Sequence, residues 1–333
     1  MKKIIRICLP VLLFYFNNAH AQFQYVSPMP GSVMNNPEHN IIIREGSIIE
    51  PASLQDRVFT LHGSRSGDHT FSTTLCRDGK TILLAPDVRF DYNEQVTVTV
   101  GMGLQSVDGR QLKSYSFSFE THRKYTDEEI MNFKNAKKML GEEEPQQYVN
   151  HDRADGDTRD LDGLFTITTN NNPSPGDIFF DSFSAFFFPN SWTGYHVITS
   201  SGDSVYSQEL NDVSDFKMEH NGNFGVRNGD EDNFEELDSN FNVINKIYGA
   251  NGYSVDFHEM QITPDHHVFI IADDNEVIDM TVYNPSYSTH ATVLGSVIQE
   301  FDPDGNLVFE WKSFDHVAPN EAQHINLGSS YID

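Results

Sequence analysis

Two cysteines occur in 333 residues. Cys8 falls in the leader segment described below, which leaves Cys76 alone in the rest of the chain. An internal disulfide, a thiolate metal cluster and CxxC redox chemistry are thereby excluded. Cys76 is read as a buried, inert thiol, because free cysteine behaves mostly as a small hydrophobe. Basic residues are also scarce: 22 Lys and Arg stand against 49 Asp and Glu, for a formal net charge of -27. Such a chain lacks the basic stripe that nucleic-acid phosphates require, and it is poorly suited to an anionic membrane surface. No apolar run reaches the ~18 residues that a membrane helix needs. Aromatic residues, by contrast, make up 12% of the chain with 25 Phe, which argues against disorder.

Residues 1–21 have the pattern of a secretory leader. Lys2, Lys3 and Arg6 precede an apolar run from Ile7 to Phe16, and Ala19-His20-Ala21 is a cleavage site of the A-x-A type. The expected product is exported to a periplasm or beyond, where ATP and other activated cytosolic donors are missing.

The charge is unevenly spread. Residues 22–125 hold 10 basic and 11 acidic residues, whereas residues 126–333 hold 9 and 38. This break sets an expected domain boundary near 125. In the first segment, Asn40 to Ile43, Val58 to Leu61, Thr81 to Leu84, Val96 to Val100 and Tyr115 to Phe119 are short β-type runs. Pro30-Gly31, Asp78-Gly79 and Asp108-Gly109 supply turns between them. About seven short strands in about 100 residues predict a β-sandwich. Thr126 and Glu129 form a T-x-x-E capping box, predicting a helix over 127–140 closed by Gly141, and 141–160 reads as an exposed linker.

From about 161 the pattern is again all-β, now with a repeat. Asp215-Phe216-Lys217-Met218 returns as Asp256-Phe257-His258-Glu259-Met260, 41 residues later, with an apparent insertion near 274–295. A period of 40–45 with four short strands predicts β-propeller blades over 161–333. His258 opens one repeat and His324-Ile325-Asn326 opens what should be the next, so the two histidines are expected to converge on one channel. His266-His267, after Pro264-Asp265, is read as an exposed turn tip. His258-Glu259 does not begin a zinc-protease motif, since Ile262 stands where the second His would be. Asp230-Glu231-Asp232 lacks the spacing of a Ca²⁺ loop and is read as solvated.

Two resemblances follow. Ser-Pro-x-Pro-Gly at 27–31, D-G-K-T-I-x-x-x-P at 78–86, Asp108-Gly109-Arg110 and F-S-F at 117–119 resemble, in that order, the bacterial Ig-like domains of secreted proteins. The runs D-F-H-E-M-Q-I-T-P-D (256–265), V-I-Q-E-F-D-P-D-G-N-L-V-F-E-W (297–311) and H-I-N (324–326) resemble the bacterial arylsulfate sulfotransferase family, in which a propeller follows an N-terminal sandwich. The fold expected is therefore an Ig-like β-sandwich followed by a partial β-propeller of three to four blades. The family moves a sulfuryl group from a phenol sulfate ester to a phenol acceptor through a sulfohistidine. That resemblance implies His324 as nucleophile, His258 as acid/base or sulfate-binding partner and Asn326 as orienting residue. It implies no cofactor and no metal. The partners expected are a small aryl sulfate donor and a phenol acceptor, with no nucleic acid, no membrane span and a homodimer as an option. The family's sulfate-binding arginine has no counterpart after His258, where Lys312 is the one basic side chain, so the cation would have to come from elsewhere in the chain. A six-bladed ring needs roughly 250 residues, against 173 from 161 to 333, so a truncated and inactive form is also expected. The alternative is a secreted Ig-like and propeller protein that binds or adheres without catalysis.

Overall fold

A computed structural model describes residues 23–139, 167–182, 193–210, 212–321, 327–328 and 331–332. The leader at 1–21 and the 141–160 segment lie outside these residues. The first eight strands are β1 (Tyr25–Ser27), β2 (Ile41–Arg44), β3 (Phe59–Gly63), β4 (Gly67–His69), β5 (Phe71–Leu75), β6 (Thr81–Pro86), β7 (Gln95–Val100) and β8 (Tyr115–Glu120). They form two four-stranded sheets, β1-β2-β6-β5 and β4-β3-β7-β8. Every pairing in both is antiparallel. Period-2 alternation builds the space between the sheets. In β7, Val96, Val98 and Val100 are buried while Thr97 and Thr99 are half-buried. Ile41, Ile43, Leu61, Ile82, Leu84, Phe90 and Phe119 complete this core.

The helix α1 (Asp127–Met139) follows. Its start is closed by the capping box: Thr126 N donates to Glu129 Oε2 (2.9 Å) and Glu129 N donates to Thr126 Oγ1 (3.2 Å). Arg123 clamps the same carboxylate with bonds of 2.8 and 2.6 Å.

The remaining strands fall into successive antiparallel meanders. The first is β9 (Ile178–Ser182), β10 (Gly194–Ile198) and β11 (Ser204–Glu209), and the second is β12 (Val213–Met218), β13 (Phe224–Asn228), β14 (Asn233–Leu237) and β15 (Val243–Ile247). The third is β16 (Ser254–Ile262), β17 (Val268–Ile278), β18 (Ala291–Phe301) and β19 (Leu307–Lys312), with β20 (Tyr331–Ile332) pairing parallel to β18. Tyr195, Val197, Phe216, Phe224, Val226 and Leu237 pack between the first two meanders, and Phe234, Ile247, Val255, Met260, Ile262 and Ile270 between the last two. Both four-stranded meanders close their last hairpin with an Asp-centred turn. Asp238 Oδ1 accepts from the backbone amides of Asn240 and Asn242, as Asp302 Oδ1 does from Asp304 and Asn306.

The described residues are thus mostly β, with one α-helix. No helix among them is long and apolar enough to cross a membrane.

The extra residues near 274–295 lengthen a hairpin: β17 and β18 run paired from Val268↔Phe301 to Ile278↔Ala291, whereas the corresponding β13 and β14 pair only from Phe224↔Leu237 to Asn228↔Asn233. The alternation does not stop at Ala272. Asp274 and Glu276 continue its buried face, so a run that reads as polar in sequence is strand in structure. The same meander meets the sandwich through its last strand. There β19 packs on β2 and β6, which accounts for Ile42 being fully buried on the face opposite Ile41 and Ile43.

Candidate functional site

The strands β12 and β16, each the first of its meander, carry the sequence repeat. β12 has a register break between Ser214 and Lys217, and β16 has one between Val255 and Met260. A bulge leaves backbone groups off the ladder, and these need other partners. Carboxylates of the preceding meander reach across to β12 and β16, at the breaks and just beyond them. Asp181 Oδ2 accepts from Phe216 N (2.9 Å), Asp215 Oδ2 from Met260 N (2.8 Å) and Glu219 Oε2 from Ile262 N (2.8 Å). Ser214 Oγ donates in turn to Phe257 O (2.6 Å). Asp215 takes a left-handed conformation, φ 56°, which aspartate tolerates better than most residues.

His258 sits on the second of these bulges. Its side chain is 64% exposed, and Nδ1 lies 2.7 Å from Asp256 Oδ1. The same oxygen accepts from His258 N (2.8 Å). The ring rests on Phe257, centroids 3.7 Å apart. With Nδ1 engaged, Nε2 is the nitrogen available to a ligand. His324 and Asn326 lie outside the described residues, so of the three residues expected at the site His258 alone is placed. Of the expected turn tip, His266 is exposed, but His267 is half-buried with Nδ1 2.8 Å from Glu300.

Lys217 occupies in β12 the place that His258 occupies in β16. Its ammonium donates to both Asp215 oxygens (2.8 and 2.9 Å) and to Glu259 Oε1 (2.5 Å). Burial opposes its charge, but these carboxylates outweigh it and raise the Lys217 pKa. A cation therefore stands beside the His258 bulge, with acidic partners of its own. Glu219, behind it, is pushed up to about 7 by burial.

A second polar cluster lies where the sandwich meets the last meander. Glu310 is fully buried: its Oε1 is 2.7 Å from His39 Nε2, and its Oε2 accepts from Asn251 (2.8 Å) and Gln299 (2.7 Å). Burial pushes its pKa up, yet His39 and these donors hold it below the usual range. Tyr25 Oη donates to Glu310 O and accepts from Glu310 N. Lys312 donates to Val33 O (2.9 Å) and Met34 O (3.0 Å). Tyr125 donates to Glu276. Asp274 and Glu276 are 4% and 2% exposed. Burial raises Asp274 to about 7, and burial together with Asp274 raises Glu276 to about 8. Tyr25, Tyr115, Phe309, Trp311 and His316 line a cavity of about 400 Å³ beside this joint. None of this cluster was expected from the sequence. The available signal was the pair Asp274 and Glu276, in phase with Val268, Ile270 and Ala272.

Among solved structures, the chain is similar to the copper resistance protein PcoC from Escherichia coli (13% identity, TM-score 0.26, covering 30% of this chain and 97% of that one). It is also similar to an L,D-transpeptidase from Mycobacterium smegmatis (17%, TM-score 0.22, 30% and 39%) and to the S-layer protein rSbsC (11%, TM-score 0.25, 83% and 45%). The chain therefore spans less than half the length of the latter two. A search of the curated proteins found no match. Residues 18–121 match the bacterial Ig-like domain family, and the eight-stranded sandwich is that domain.

Proposed function

We propose that the chain is an exported protein of the arylsulfate sulfotransferase type, with residues 22–125 as its Ig-like domain and the meanders from 161 onward as blades of a partial propeller. In this reading a phenol sulfate ester gives its sulfuryl group to His324, and a phenol acceptor then takes it. His258 moves the phenolic proton, and Asn326 orients the nucleophile. A neutral imidazole nitrogen can attack sulfur, and the cationic adduct is a good leaving group.

The observation that carries the reading is the His258 bulge. The strand start that bears the family-like D-F-H run is irregular, is anchored to the preceding meander by Ser214 and Asp215, and leaves an imidazole exposed. Bulges that re-aim a side chain are common beside active sites. First strands that break register at corresponding places in successive meanders also suit a radial arrangement.

The test is incubation with a chromogenic aryl sulfate and a phenol acceptor. Turnover that needs both substrates, and that falls at least 100-fold in His258→Ala and His324→Ala, is the expected result. Turnover indifferent to both substitutions rejects the assignment. No turnover together with tight retention of a glycan or protein on an array favours the binding alternative.

A further inference from the structure

Histidine chemistry depends on which ring nitrogen holds the proton, and this is set by the partner of the other nitrogen. We propose that Asp256 is a positioning residue for His258, fixing the neutral ring as the Nδ1–H tautomer so that a bare Nε2 faces the reactants. The inference rests on the proposed sulfuryl-transfer reading and deepens it, because it makes His258 begin the acceptor half-reaction as a base.

Three observations carry it. First, an ionised carboxylate can only accept. Asp256 Oδ1 lies 2.7 Å from His258 Nδ1, so Nδ1 must be the donor, and a neutral ring then has no proton on Nε2. Asp256 Oδ1 also accepts from the His258 backbone amide, so one oxygen fixes both the main chain and the ring. Second, the bulge that bears both residues is held from outside. Ser214 donates to the carbonyl of Phe257, between them, and Asp215 accepts from Met260 N just beyond. Phe257 packs against one side of the ring. Third, the device repeats. In the preceding meander Asp215 grips Lys217 at the same i, i+2 spacing, with both carboxylate oxygens on the ammonium. In each repeat the aspartate of D-F-x holds the polar side chain two residues on.

The proton balance follows. As the acceptor's phenolic oxygen bonds to sulfur, its proton passes to Nε2 of His258. The N–S bond to His324 breaks, and its electron pair returns to the His324 ring. His258 is then an imidazolium, with Nδ1–H still directed at Asp256. In the donor half-reaction the same Nε2–H returns its proton to the departing phenolate oxygen as His324 takes the sulfuryl group, which restores the neutral Nδ1–H ring.

The test is long-range ¹H–¹⁵N NMR of the imidazoles of the full chain, with His258 assigned by the spectrum lost in His258→Gln. Recorded at a pH that leaves the ring neutral, rather than as the imidazolium that enters the donor half-reaction, the wild type is expected to show His258 with a protonated Nδ1 and a bare Nε2. Asp256→Asn keeps an acceptor oxygen and should keep that tautomer. Asp256→Ala should move it toward Nε2–H, the form that free histidine favours. Aryl sulfate turnover should fall at least tenfold in Asp256→Ala through kcat, with KM little changed, and recover in part in Asp256→Asn. A neutral wild-type ring dominated by the Nε2–H tautomer overturns the proposal without any variant. So does an Nδ1–H signal that survives in a folded Asp256→Ala. Turnover is read separately: a wild type that does not turn over aryl sulfate but shows the predicted tautomers removes the catalytic reading and leaves the Asp256–His258 pairing standing.

Discussion

Replacing Glu276 by Gln should make the chain more stable at alkaline pH and leave it nearly unchanged in acid. Glu276 lies at the joint, 2% exposed as a residue, beside Asp274, and accepts from Tyr125 across the junction. Burial and the Asp274 charge raise its pKa from 4.5 to about 8. The groups facing it include Lys312 and Arg123, which favour its charge. Glu310 and Asp315 act on the neighbouring Asp274, disfavouring ionisation there. Because the folded pKa is above the unfolded one, the folded chain holds a proton that the unfolded chain has released between about pH 4.5 and 8. Stability is therefore complete below that window and falls through it by about 1.4 kcal/mol per pH unit. The accumulated loss is about 1 kcal/mol at pH 5 and about 4 kcal/mol at pH 8. Gln carries no charge to release and still offers an oxygen to Tyr125. The gap between Glu276→Gln and wild type should thus widen by about 3 kcal/mol from pH 5 to pH 8, or roughly 10 °C in Tm. Thermal unfolding of both proteins across that range reads it directly. Two melting curves that stay parallel from pH 5 to 8 would refute the reasoning, because they would mean that Glu276 ionises in the fold as it does in water.

Two further perturbations probe the same junction and the sandwich beneath it. Glu310→Ala leaves His39, Asn251 and Gln299 without their shared buried acceptor, and should cost about 3–5 kcal/mol in urea unfolding; a loss below 1 kcal/mol would show that the pairing is not built as described. Ile42→Ala removes a fully buried side chain from the face of β2 under β19, and should cost about 2–5 kcal/mol; an effect typical of an exposed site would place β19 elsewhere.

The sandwich was legible because its strands obey a local rule. Val96, Val98 and Val100 alternate with threonines, and alternation survives translation into structure. The run Ile41-Ile42-Ile43 was legible as strand but not as a strand covered on both faces, since its second cover, β19, comes from more than 260 residues along the chain. The joint was hidden for the same reason. Tyr25 and Glu310 are 285 residues apart, and no local periodicity encodes such a pairing. Asp274 and Glu276 were masked further by their polarity: a strand that buries carboxylates looks like a loop until the groups that face them are known. His258 stood out as a histidine at the start of a repeat. Its partner Asp256 passed unnoticed because the bulge that brings the carboxylate onto Nδ1 is a feature of pairing between strands rather than of composition.

The central claim is that a histidine of this chain carries the sulfuryl group between two phenols. Mass spectrometry of peptides, after brief incubation with an aryl sulfate and no acceptor, tests it most directly. The account predicts the added mass of one sulfuryl group on the peptide that contains His324, discharged when a phenol is supplied and lost in His324→Ala. Release of the donor's phenol with no labelled peptide, or a label that resists the acceptor, would contradict it.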